Sequence, residues 1–401
     1  MTVEIRAAAA DEVKAALAPI FHFFGTAPTD ERVESFQLEP ARILAACSEG
    51  VVVGGAGAHT FDLTVPGGQL PTAGVTVVGV LPTHRRRGIL TRMMRFQLDE
   101  LRERGEPLAV LWASEAPIYG RFGYGLASLS GELELARDRA AFTVPFERTA
   151  EARLLEADEA LECFPAVYER VAAVTPGMFR RSQEWWSARV LPDHEWRRRG
   201  GGELARVLLQ GEGEDVGYAV YRLHPSWEYG NSTGSVNVIE AMGATATATR
   251  ELWRFLLDID WMQRVKASLL PVDHPLLLLV AEPARLHFTL GDALWLRIVD
   301  VEAALSGRGY ADGEGLVFEL HDVFCPWNEG RWLLEGGIAQ RTRREADLEL
   351  DVAVLGSAYL GGFTWAELAR AGRVEERHPG ALARADALFH TDRAPWCPEI
   401  F

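Results

Sequence analysis

Val78-Gly79-Val80-Leu81-Pro82-Thr83-His84-Arg85-Arg86-Arg87-Gly88-Ile89-Leu90 joins an uncharged, β-branched run to an amphipathic one through a basic, glycine-bearing loop. Gly74 to Leu81 carries no charge, which predicts a central strand ended by Pro82-Thr83. Downstream, Leu90, Met93, Met94, Phe96, Leu98 and Leu101 recur at helical spacing, so 89–102 reads as a helix stopped by Gly105-Glu106-Pro107. Leu108 to Ala113 is a second buried strand. Strand, loop, helix and strand make a βαβ unit. The first amides of its helix have no partners within the helix and lie at the positive end of its dipole, where phosphate binds. Gly88 lets a pyrophosphate approach the backbone, and the arginines add charge-assisted hydrogen bonds. A solvated basic turn is the competing account of the same residues. The loop has no Gly-Lys-Ser/Thr and no Gly-x-Gly-x-x-Gly, so it is neither a Walker loop nor a dinucleotide fingerprint.

Outward from this unit, Asp11 to Phe21 reads as an amphipathic helix capped by Asp11. Val51-Val52-Val53 starts a strand, and His59 to Val65 alternates up to a turn at Pro66-Gly67-Gly68, suggesting an antiparallel hairpin. Arg137 to Arg148 is a polar connector. A second region, to about Leu290, holds helical stretches (Leu161 to Val174, Ser182 to Val190) and strands (Ala205 to Leu209, Val216 to Arg222). Within it, Gly234 to Ile239 followed by Thr249 to Ile259 repeats the plan of Gly74 to Arg102. Gly243-Ala244-Thr245-Ala246-Thr247 replaces the basic loop, so the repeat reads as a degenerate second copy, with two unrelated βα units as the alternative. A third region begins near Leu294. It holds strands at 295–299, 316–323 and 346–352, helices at 301–306, 354–360, 364–371 and 382–389, and a polar tail from Asp392 to Phe401.

The 401 residues suffice for two or three domains, and 48% apolar with 24% charged residues describes a globular protein. A net charge of −16 gives no basic footprint, which argues against a nucleic-acid partner and favours a cationic small molecule, unless the excess only aids solubility. Neither a membrane-length apolar run nor a secretory leader is visible, so a cytoplasmic location with no membrane partner is expected. Cys47, Cys163, Cys325 and Cys397 are scattered without metal-ligand spacing, so no metal site is expected.

Arg85-x-x-Gly88 after a valine-rich strand resembles the pyrophosphate motif of the GNAT N-acetyltransferases, with Leu90 where that motif usually has Gly or Ala. Pro82 to Gly88, Ala113-Ser114-Glu115 and Ile118-Tyr119-Gly120-Arg121-Phe122-Gly123-Tyr124-Gly125 resemble one subfamily, the Eis (enhanced intracellular survival) acetyltransferases of actinobacteria. So do Leu294 to Ile298, Val354 to Ser357, Tyr359-Leu360-Gly361 and the terminal Phe401. The resemblance implies a mixed α/β (α+β) fold of tandem GNAT-like acyltransferase domains and a sterol-carrier-protein-like C-terminal domain. The spans would be 1–140, 141–292 (with a degenerate cofactor site) and 293–401, in a homohexamer.

It also implies an acetyl-coenzyme A-dependent N-acetyltransferase that transfers the acetyl group directly to a primary amine of a small polycationic acceptor, an aminoglycoside-like compound or a lysine side chain. Val78, Gly79 and Val80 would hold the acetyl-pantetheine arm. Arg86, Arg87, Gly88, Ile89, Leu90 and Thr91 would hold the pyrophosphate, with Ser114 and Glu115 as further cofactor contacts. Tyr119 would be the general acid and the Phe401 carboxylate the general base. On the residues alone, Tyr119 and Tyr124 read first as core residues and the tail as frayed. The acid that the family places before the terminal Phe is here Glu399, with Ile400 between. An apolar-ligand carrier or a scaffold with a relic acetyltransferase domain is the alternative function.

Overall fold

The computed structural model describes residues 3–401. The chain forms two compact units. The first comprises the residues up to Ser128, Ala293–Pro395 and Ile400–Phe401; the second comprises Leu129–Asp292 and Trp396–Glu399.

In the first unit, strands β1 (Val3–Ala7), β2 (Ile43–Ser48), β3 (Val51–Val65), β4 (Gly68–Val80), β5 (Leu108–Trp112), β6 (Gly125–Leu126) and β7 (Leu294–Ile298) form one sheet in the order β1-β2-β3-β4-β5-β7-β6. Its pairs are antiparallel except β4 with β5. Helix α1 (Val13–Phe23) packs through Ala16, Leu17 and Phe21 on the face that carries Ala45, and α2 (Ile89–Glu103) packs through Ile89 and Met93 on the face that carries Ala46. Adjacent residues of a strand point to opposite faces, so the two helices sandwich the sheet.

Several expectations shift. β3 is continuous for 15 residues through Gly54-Gly55-Ala56-Gly57, a stretch too poor in side chains to read as a strand. The glycines admit α1: a Cβ on Gly55 would lie 2.1 Å from Ala16 O. Asp11 does not cap α1. A 3-10 turn at Ala10–Glu12 precedes the helix, and the Glu12 carboxylate accepts from Ala9 N (2.9 Å) and Arg6 (2.6 Å). Strand β7, which opens the third region in sequence, lies inside this first sheet, between β5 and β6.

The rest of the first unit is a five-stranded sheet in the order Ile338–Arg341, Gly330–Glu335, Leu316–His321, Leu348–Asp351, Val374–Glu376. In its core Phe318 stacks on Trp365, and Phe389 meets both rings edge-on. Helix Val352–Tyr359 lies against the first sheet, where a Cβ on Gly125 would meet Ala353 O at 1.7 Å and one on Gly356 would meet Leu296 O at 2.4 Å.

The second unit has its own seven-stranded sheet, in the order Thr289–Asp292, Leu129–Ala136, Met262–Leu270, Gly234–Gly243, Glu214–His224, Leu204–Gly211, Ala150–Leu154. Helix Ala157–Ala172 covers one face, with Phe164 stacked on Tyr218 at 4.3 Å, and helix Ala246–Leu257 covers the other through Leu252, Trp253 and Leu256. Gly234–Gly243 pairs in parallel with Met262–Leu270, so the strand-then-helix repeat read from the sequence is completed by a parallel strand. Among the described residues, no helix is long and apolar enough to cross a membrane, and no group of three or more His, Cys, Asp or Glu could hold a metal.

Candidate active site

β4 and β5 stay paired only from Thr72↔Leu108 to Gly74↔Val110 and then part. Before the parting strand reaches its end, its register against β3 slips between Gly55 and Gly57, and Val77 takes a positive φ of 49°. An extra residue on one strand bends it and re-aims the residues beyond the bulge. Past that point, Leu81 N donates to Val53 O at 2.8 Å. Antiparallel partners alternate between hydrogen-bonded and non-bonded pairs, so Val80, opposite Gly54, turns its N–H away from β3 and towards the opening. Its carbonyl is taken by Arg85 Nε at 3.2 Å, which folds the basic loop back on the strand.

Past the loop, Gly88 (φ 74°) begins α2. A Cβ there would meet nothing within 4 Å, so glycine is needed for the left-handed backbone rather than for space. No side chain caps this helix and its first turn has no acidic residue. The amides that a side-chain oxygen usually satisfies are left for a ligand.

A cavity of about 360 Å³ opens between the parted strand and this helix end. Val78, Gly79 and Val80 form one wall; Arg86, Gly88, Ile89, Leu90 and Thr91 form another; Ser114, Glu115 and Tyr119 close it beyond β5. The structure thus brings together all the sequence-predicted cavity residues except Arg87, which does not line it. It adds Pro19, Ile20 and Phe23 from α1, together with His84, Arg85, Ile118 and Arg121. Phe23 lines the cavity, while the neighbouring His22 is exposed and does not.

Tyr119 ends the short helix Ala116–Tyr119 and is 6% exposed, with its ring edge against Tyr124 (centroids 6.0 Å apart). Burial, and then the charge of Glu115, pushes its phenol up to about 12. Tyr124 is fully buried, does not line the cavity, and has its hydroxyl raised further by burial. The two tyrosines, equivalent in sequence, are therefore separated by access.

Phe401 lies outside the cavity lining, yet it is not a frayed end. It is 6% exposed, its α-carboxyl oxygen accepts from Thr76 Oγ1 at 3.0 Å, and its ring stands edge-on to Phe61 (5.0 Å) and His59 (6.2 Å). Thr76 is on β4, two residues before Val78.

Family profiles described as Acetyltransferase (GNAT) domain match residues 4–127 and 177–298, and one described as Sterol carrier protein domain matches 301–398. An uncharacterized N-acetyltransferase of Streptomyces avermitilis is 44% identical over 388 residues, 94% of each chain. N-acetyltransferase Eis of Mycobacterium tuberculosis is 37% identical over 351 residues, 85% of this chain and 84% of that one. The crystal structure of Eis1 from Mycobacterium abscessus superposes with a TM-score of 0.86 at 37% identity, covering 99% of this chain and 100% of the other. Two GNAT folds, a sterol-carrier fold and relatives of this identity along most of the chain lead to one conclusion: the chain belongs to the Eis family of GNAT N-acetyltransferases and is an acyl-transferring enzyme.

Proposed function

We propose that the cavity of the first unit takes acetyl-coenzyme A and that the enzyme passes the acetyl group directly to a primary amine of a small polycationic acceptor, an aminoglycoside-like compound or a lysine side chain. The observation that carries this reading is the convergence of a parted strand, an uncapped helix N-terminus and one accessible buried tyrosine on a single cavity. The backbone of Val78, Gly79 and Val80 offers sheet-like hydrogen bonds to an extended amide-bearing arm, and the first amides of α2 with Arg86 face a pyrophosphate. Arg87 adds charge beside them, and Ser114 and Glu115 flank the arm where β5 ends.

Acyl transfer from a thioester to an amine needs an oxyanion donor, a proton for the leaving sulfur and an acceptor for the amine proton. Val80 N–H supplies the first, a donor held in place by its strand. Tyr119 supplies the second from its hydroxyl. The Phe401 α-carboxyl accepts the third, and its negative charge, within a chain of net charge −16, draws a cationic amine. The spans 1–140, 141–292 and 293–401, a homohexameric assembly and a cytoplasmic location complete the proposal by family likeness.

An assay of acetyl-coenzyme A consumption over polyamines, aminoglycosides and lysine peptides tests it. Turnover with at least one polycationic amine is expected. No turnover with any of them, together with no acetyl-coenzyme A binding by calorimetry, would leave the carrier alternative standing.

A further inference from the structure

The second unit repeats the strand geometry that opens the cavity in the first, but its opening is filled by the chain itself. Gly234–Gly243 and Met262–Leu270 pair in parallel as far as Val238↔Ala267 and then part, as β4 and β5 part after Gly74. Only about 10 Å³ remains between Val238–Ala241 and Ser268–Leu270, and Trp396 and Pro398 line it. Trp396 N donates to Pro176 O at 2.8 Å, its indole Nε1 donates to Leu269 O at 2.5 Å, and its ring joins the core around Phe164, Tyr168 and Tyr218. The helix that follows the parted strand is capped by its own Thr245, whose hydroxyl accepts from Ala248 N at 3.1 Å. Its N-terminus therefore offers less to an anion than the uncapped start of α2.

Glu399 is gripped in the same unit. Its carboxylate accepts from Trp185 Nε1 (2.8 Å) and is paired with Arg181 Nη2 (3.0 Å) and Arg189 Nε (3.3 Å). Arg181 is buried, stacks over Tyr168 at 4.1 Å, and binds Glu240 of the parted strand through two hydrogen bonds of 2.9 and 2.6 Å. Charges this deep persist only when paired and hydrogen-bonded. Two carboxylates facing two guanidinium groups meet that condition.

We propose that the second GNAT fold has replaced a cofactor seat with a peptide seat. Its parted strands and the Arg181–Trp185–Arg189 grip hold Trp396–Glu399, which makes Glu399 a positioning residue for the α-carboxyl of Phe401. The proposal rests on the role given above to Phe401 as proton acceptor. Glu399 lies two residues before the terminus, so fixing it leaves a free tail of at most about 7 Å of extended chain. Ordering the tail in advance removes its conformational entropy from each catalytic cycle.

The test uses the full chain as wild type, as Glu399→Ala, as Glu399→Gln and with one glycine added after Phe401. The readouts are kcat, KM for acetyl-coenzyme A, the thermal midpoint and the rate at which carboxypeptidase A releases Phe401. Losing a charged hydrogen-bond acceptor should raise that release by ~10- to ~100-fold in the alanine chain and lower kcat by a similar factor, with KM for acetyl-coenzyme A unchanged. Glu399→Gln keeps an acceptor for Trp185 and should fall between; it decides the matter if the alanine chain loses its thermal midpoint. Wild-type release and kcat in both Glu399 variants, with the lengthened chain inactive, would overturn the grip and leave the Phe401 role intact. A fully active lengthened chain would overturn both.

Discussion

Replacing Tyr119 by Phe removes one oxygen from the cavity wall and leaves the ring's contact with Tyr124 in place. The size of the effect follows from the acidity of the phenol. Burial and Glu115 hold Tyr119 at about 12, and a thiol has a reference pKa of about 8.5. Full proton transfer to a free thiolate is then uphill by ~3.5 pH units, or ~5 kcal/mol. Tyr119 is thus better placed to donate a hydrogen bond as charge grows on sulfur than to surrender its proton early. A mismatched acid belongs at the low end of the usual range, so Tyr119→Phe should lower kcat by ~100-fold, or ~2.7 kcal/mol of barrier. Stability should change by less than ~0.5 kcal/mol, since neither the ring nor its packing is lost. The sign of the pH effect is also set: a raised pKa keeps the phenol protonated across the neutral and mildly alkaline range, so Tyr119 contributes no loss of rate up to pH ~10. Continuous detection of the released thiol over pH 6–10 (roughly the range of ordinary buffers), on both proteins, measures all of this. A Phe variant within threefold (about 0.65 kcal/mol) of wild type would refute the assignment. So would a wild-type alkaline limb near pH ~10 that vanishes in the variant, because it would show an unburied phenol.

Gly88→Ala forces a side chain into a left-handed backbone at a cost of ~1–2 kcal/mol with no steric clash to share it. Relief by turning the α2 amides away should raise the calorimetric Kd for acetyl-coenzyme A by ~5- to ~30-fold, and an unchanged Kd would count against the anion seat. Thr76→Val keeps the shape but removes the donor to Phe401. A fall in kcat of ~5- to ~100-fold is expected, with KM for acetyl-coenzyme A constant; equal losses in binding would point to a general distortion instead. His274 is buried against Trp253, accepts from Leu276 N, and is held at about 3 by desolvation. Between pH ~6.5 and ~3 the unfolded chain gains a proton that the native one does not, so stability is full above this window and falls as pH drops, by ~2 kcal/mol at pH ~5. Urea unfolding at pH 7 and 5 should show that loss in the wild type and not in His274→Asn; a loss of equal size in both would assign it to other groups.

Local order was legible wherever burial imposed a pattern. The uncharged run before Leu81 and the amphipathic run after Gly88 are the traces of a strand covered on both faces and a helix covered on one. In the loop between them, Gly88 marked the left-handed turn that starts the helix. Pairings between distant segments left no such trace. Nothing in Leu294–Ile298 tells that it lies beside Leu108–Trp112, far earlier in the chain, since any apolar strand would fit the edge of β5. Tyr119 and Tyr124 occupy the same motif and differ only in which one reaches the cavity. The motif's glycines make sense only in three dimensions: a Cβ at Gly123 would meet Arg297 at 1.9 Å, and Gly125 and Gly356 touch opposing backbone. Glu399 looked like a displaced acid in a polar tail until Arg181, Trp185 and Arg189 came into view around it.

The insertion of β7 between β5 and β6 bears on how the protein is made. When the ribosome has released the first 126 residues, the sheet that will carry the chemistry still lacks an interior strand. That strand emerges only after the whole intervening unit has been synthesised, ~10 to ~30 s later at ordinary elongation rates. For that interval the apolar edge of Leu108–Trp112 stands open to any extended neighbour. An isolated N-terminal fragment would keep that edge permanently and aggregate, so the catalytic half cannot be harvested by cutting the gene at the first apparent boundary.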